Sequence, residues 1–144
     1  MKVCHITSVH QATDPRIFHK ECVSLAKAGY EVVLVAPGTG ERIEQGVRIV
    51  GAGEVPTSRM ERMFWYSGQV VEVALAQKAE LYHLHDPELL SHVDRIHKTE
   101  AKIIFDAHED VAEDIEEKPW IPAPLRMPAS KAYTNYFKRK VKKL

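Results

Sequence analysis

Cysteine is scarce in this 144-residue chain, occurring only at Cys4 and Cys22. Both lie in apolar-patterned segments, which argues against a disulfide-stapled fold and predicts buried thiols in a reducing compartment. Net charge is also lacking: the formal value is zero, so no global field draws in nucleic acid. No apolar run approaches the ~18 residues of a membrane span. The opening Met1-Lys2-Val3-Cys4-His5-Ile6 has neither the basic region nor the long apolar stretch of a secretory leader, and a cytoplasmic protein is expected. Glycine is absent from the first loop, Thr7 to Arg16. Neither a dinucleotide Gly-x-Gly-x-x-Gly nor a Walker loop can sit there.

What is present is an alternation of short apolar runs with longer helical patterns. Val3–Thr7 reads as a buried strand. Asp14 offers an N-cap with Pro15 at the first helical position, and Ile17, Phe18, Cys22, Leu25 and Ala26 make an apolar stripe that Gly29 closes. Tyr30–Ala36, with Val32, Val33, Leu34 and Val35 in succession, reads as a strand covered on both faces. Gly46–Val50 is a weaker strand, and Ser58–Lys78 a long helix in which Trp65 and Tyr66 read as core. Leu81–His85 is the next strand. Asp86-Pro87 repeats the cap-and-proline start of a helix reaching about Lys98. Ala101–Asp106 is the fifth strand, and a last helix covers roughly Leu125–Leu144. The pattern predicts a Rossmann-like, doubly wound α/β fold with a mainly parallel sheet and the first strand central.

Right-handed crossovers bring every strand's C-terminal end to one rim, where such sheets bind ligands. The polar residues that follow the strands are therefore the candidate site. The first loop leads into a helix N-terminus, where Arg16 could meet a phosphate; the plain alternative for Arg16 is a solvated first-turn residue. The fourth strand ends His83-Leu84-His85-Asp86-Pro87-Glu88 and the fifth Asp106-Ala107-His108-Glu109-Asp110. Two such ends fit either a sugar-hydroxyl site or a metal site of His83, His85 and His108. His83 taken alone reads more readily as a satisfied core histidine than as a ligand. Residues 131–144 carry Lys131, Lys138, Arg139, Lys140, Lys142 and Lys143 and no acid. They read as a solvated face or as peripheral contact with an anionic membrane at its inner face.

The segments His5-Ile6-Thr7-Ser8-Val9-His10, Asp14-Pro15-Arg16-Ile17-Phe18-His19-Lys20-Glu21-Cys22 and Leu25-Ala26-Lys27-Ala28-Gly29-Tyr30-Glu31-Val32 resemble the start of glycosyltransferase family 4 proteins. His83-Leu84-His85-Asp86-Pro87-Glu88-Leu89-Leu90, Asp106-Ala107-His108-Glu109-Asp110 and Lys118-Pro119-Trp120-Ile121-Pro122 match the same subgroup. The resemblance implies a GT-B fold of two facing Rossmann-like domains. It implies retaining transfer from a nucleotide-sugar donor to a carbohydrate or lipid-linked acceptor hydroxyl, with no cofactor and no catalytic metal. His108 is implied beside the reacting sugar, with Glu109 and Asp86 as further catalytic candidates. His10 and Arg16 fall at the donor diphosphate, and His85, Glu88 and Asp110 at the acceptor. Many members carry a Gly-Gly pair in the first loop; without it the phosphate grip falls to His10 and Arg16. On this reading residues 1–144 are one acceptor-side domain lacking the donor-binding partner and its own last strand or two, with weak donor binding and an exposed edge that favours dimers. Two other readings stand beside it: a metal-dependent hydrolase, and a non-catalytic flavodoxin-like binding module.

Overall fold

A computed structural model describes residues 1–107 and 122–144. Six strands form one sheet: β1 (Lys2–Ile6), β2 (Glu31–Ala36), β3 (Glu41–Glu44), β4 (Val47–Gly51), β5 (Leu81–Leu84) and β6 (Lys102–Phe105), in the order β3-β4-β2-β1-β5-β6. All pairings are parallel except β3 with β4. β1 lies between β2 and β5, as the alternation of strands and helices predicts.

Helix α1 winds with wide π-type turns over Pro15–Cys22 and continues as α-helix over Val23–Lys27. Asp14 caps it, its carboxylate accepting from the backbone N–H of Arg16 and Ile17, each at 2.9 Å. Gly29 ends it at φ +91, with Gly29 N–H bonded to Ala26 O and Tyr30 N–H to Leu25 O. Those two bonds form the Schellman closure that a glycine at this position permits. Helix α2 runs through Arg59–Glu61, Arg62–Tyr66 and Ser67–Leu75, and α3 through Pro87–His92, Val93–Ile96 and His97–Thr99. Helix α4 is Ala123–Val141.

Strand alternation divides the core in two. Val32, Leu34, Ala36, Val47 and Ile49 face α1. Cys4, Ile6, Val33, Val35, Tyr82 and Leu84 face the opposite way, against α2 and α3, with Phe105 and Phe137 of α4 at the margin. Both cysteines are buried free thiols. Burial pushes the Cys4 thiol up to about 12.

The structure departs from the sequence reading at three places. The strand expected from Gly46 begins at Val47 and is half of a hairpin with the unanticipated β3. Gln45 (φ 48) and Gly46 (φ 81) form its two-residue turn, the left-handed pair that suits a twisted hairpin. Trp65 is 68% exposed, whereas Tyr66 is buried and donates its hydroxyl to Gly53 O at 2.8 Å. Asp86 does not cap α3; no side-chain cap bond forms there.

Candidate functional site at the C-terminal rim

The first loop leaves β1 through Thr7 and Ser8, both buried. Asp86, at the end of β5 and also buried, binds them. Its Oδ2 accepts from Thr7 Oγ1 at 2.8 Å and from Ser8 N–H at 2.7 Å, and its Oδ1 lies 3.3 Å from His10 Nε2. Thr7 Oγ1 in turn accepts from His10 N–H at 2.9 Å. Ser8 Oγ donates to Glu88 Oε1 at 3.1 Å. The loop is therefore shaped by side-chain bonds where a glycine pair would otherwise free its backbone.

These contacts set the charges. Burial pushes the Asp86 carboxyl upward, but the bonds from His10, Thr7 and Ser8 outweigh it, and it stays below the ordinary range. The bond to Asp86 raises His10, which is only half-buried. Burial raises Glu88. Arg16 Nη1 meets Asp106 Oδ2, just beyond β6, at 2.6 Å, and lies 3.8 Å from Glu21 Oε1. Its guanidinium thus bridges α1 to the far strand while remaining about one-third exposed.

Among the sequence-derived candidates, His10, Arg16, Asp86 and Glu88 come together on this rim. His85 lies beneath it: its side chain is fully buried, with Nδ1 3.9 Å from Asp106 Oδ2 and Nε2 2.9 Å from His5 Nδ1. His108, Glu109 and Asp110 lie outside the described residues.

Period two does place His83 and His85 on one face, with ring centroids 4.4 Å apart. Their company includes two residues that the sequence reading passed over. His5 pairs with His83 in the β1–β5 register, and Glu21 reaches in from α1. Glu21 Oε2 lies 3.7 Å from His5 Nδ1, 3.8 Å from His83 Nδ1 and 3.7 Å from His85 Nε2. Burial and the neighbouring imidazoles lower His5 to about 3 and His85 to about 2, so both rings are neutral. A signal for Glu21 exists in the sequence. It falls among Ile17, Phe18, Cys22 and Leu25, a carboxylate inside an apolar stripe.

The mainly parallel sheet, with acids, imidazoles and a guanidinium gathered at its C-terminal rim, defines a Rossmann-like α/β domain. The model of Glycosyltransferase Family 4 matches residues 16–143, and the chain belongs to that family. No curated protein matches it. Among the described residues, no helix is long and apolar enough to cross a membrane.

Proposed function

We propose that this chain is the acceptor-side domain of a two-domain retaining glycosyltransferase. It would move a hexosyl group from a nucleotide-sugar to the hydroxyl of a carbohydrate or lipid-linked acceptor, without a catalytic metal or cofactor. The observation that supports this most is the loop after β1, locked by Asp86 and opening toward the rim with His10 and Arg16 as its cations. A donor diphosphate arriving there meets His10, whose charged form Asp86 favours, and Arg16. Arg16 must partly exchange Asp106 for phosphate, and that exchange suits a ligand which arrives and leaves each turnover.

In this reading Asp86 is a positioning residue, because protein donors already engage its carboxylate. Glu88 and Asp110 take acceptor hydroxyls, and His85, buried beneath the rim, acts on the acceptor side only indirectly. His108 lies against the transferred sugar. With Glu109 it would help hold the donor while oxocarbenium charge develops. Where the acceptor is lipid-linked, the exposed Lys131, Lys138 and Arg139 of α4, with Lys142 just past its end, would meet an anionic membrane surface.

The test uses the enzyme as the cell makes it and a panel of nucleotide-sugars, following nucleoside diphosphate release with and without acceptor. His108→Ala should lower kcat by ~10²-fold or more with an unchanged melting temperature. Arg16→Gln should chiefly raise the donor KM. Near wild-type turnover by His108→Ala removes that residue from the chemistry. No turnover with any donor removes the transferase reading of this chain.

A further inference from the structure

On the α1 face of the sheet, β2 and β4 present valine, leucine and isoleucine, yet β1 and β5 present three imidazoles at His5, His83 and His85. Glu21 of α1 reaches them with its carboxylate, whose Oε2 lies nearly equidistant, at 3.7 to 3.8 Å, from one nitrogen of each ring. One ligand atom from each of the four residues lies within 4.8 Å of every other. A tetrahedral zinc ion with ordinary bonds separates its ligand atoms by about 3.4 Å. The three Glu21 distances and the 2.9 Å between His5 Nδ1 and His85 Nε2 lie within about half an ångström of that spacing, and no pair exceeds 4.8 Å.

We infer that His5, Glu21, His83 and His85 form a four-ligand site for a divalent transition-metal ion, which clasps α1 to β1 and β5 directly beneath the rim. Three imidazoles and one carboxylate suit zinc first among such ions. With all four positions supplied by protein, the site is closed and structural, leaving no open position for chemistry.

Three observations support the assignment. The rings of His5 and His85 are fully buried, so their nitrogens face one another and Glu21 and not solvent. His5 Nδ1 and His85 Nε2 face each other at 2.9 Å, and two neutral rings so placed must share one proton. An ion accepts both lone pairs without it. Binding there leaves the His85 proton on Nδ1, which faces Asp106 Oδ2 at 3.9 Å. A carboxylate standing behind a metal-bound imidazole is a recurrent arrangement. The clasp would fix both ends of the first loop, because β1 enters it and α1 leaves it. The inference does not rest on sugar transfer, since metal binding and turnover are read separately.

The experiment takes the full chain, stripped with a chelator and dialysed against zinc at equilibrium. One zinc per chain should bind with Kd on the order of one micromolar or tighter, raising Tm by several degrees. Cobalt loading should give the intense visible bands of a four-coordinate ion. His83→Gln alters the most exposed of the three rings, so folding should survive. It and Glu21→Gln should each weaken zinc at least ~10-fold and abolish those cobalt bands, while the exposed His19→Gln leaves both unchanged. Absence of stoichiometric zinc overturns the site, as do weak six-coordinate cobalt bands or unaltered affinity in both ligand variants.

Discussion

Asp86 occupies a position that reads locally as a helix cap, because Asp-Pro starts α3 as Asp14-Pro15 starts α1. Only Asp14 caps. Asp86 emerges from a central strand, so the donors that reach it first belong to the neighbouring strand's loop: Thr7 Oγ1 and Ser8 N–H. Asp86→Ala strands those donors in a buried site and should cost about 2–3 kcal/mol in urea denaturation. A loss below ~0.5 kcal/mol, the scale of an ordinary surface change, would show that the loop holds itself. The same register effect explains His5 and Glu21. Neither is conspicuous alone, and only strand pairing with the helix crossing above them makes a cluster. His10, Arg16 and Glu88 were legible as rim residues because each lies in the loop or first helical turn that follows a strand's C-terminal end.

At the scale of the element, the helices and parallel strands were readable because their apolar periods are strong. Strand β3, Glu41-Arg42-Ile43-Glu44, has no such period. Both its faces are largely exposed, with Ile43 at 76%, and only the Gln45-Gly46 turn signals it. The hairpin constrains Gly51 severely: a Cβ there would lie 2.4 Å from Gly38 O, which is backbone and cannot step aside. Gly51→Ala should therefore cost about 1–3 kcal/mol, read from thermal unfolding, and an unchanged Tm would mean that the 38–40 turn is free to move. Between α2 and α3, Ser67 gives its single proton to Met63 O at 2.7 Å and so must accept from His92 Nε2 at 3.0 Å. His92 is then neutral with its proton on Nε2, in agreement with a pKa lowered by burial and by Lys140. Because the folded value lies below the ordinary 6.5, the unfolded chain binds the proton first. Stability is complete above that value and is lost as the pH falls through it. His92→Gln, which can still donate to Ser67, should lose less stability than wild type between about pH 7 and 5; parallel curves would exclude His92 as a contributor.

For the whole molecule, the parallel sense of the main strands and the central place of β1 were readable from the alternation of strands and helices, whereas the packing of α4 was not. Its basic sequence suggests a solvated or membrane-facing helix, but part of that charge is turned inward. Lys140 and Lys143 reach Asp94 of α3 at 3.1 and 2.7 Å, while Phe137 meets Phe105 of β6 edge-on at a centroid distance of 5.7 Å. The two kinds of contact predict different behaviour. Exposed ion pairs of this type contribute little and are screened by salt. Phe137 packs against the main core and its removal leaves a void. If packing dominates, Asp94→Ala and half-molar salt should leave amide exchange in α4 nearly unchanged. Phe137→Ala should raise exchange throughout the helix by about 10-fold, the equivalent of ~1.4 kcal/mol, with β1 and β5 protected as before. The reverse ranking, with Asp94→Ala or salt releasing α4 and Phe137→Ala sparing it, would mean that charge alone docks this helix and that a competing anionic surface could lift it away.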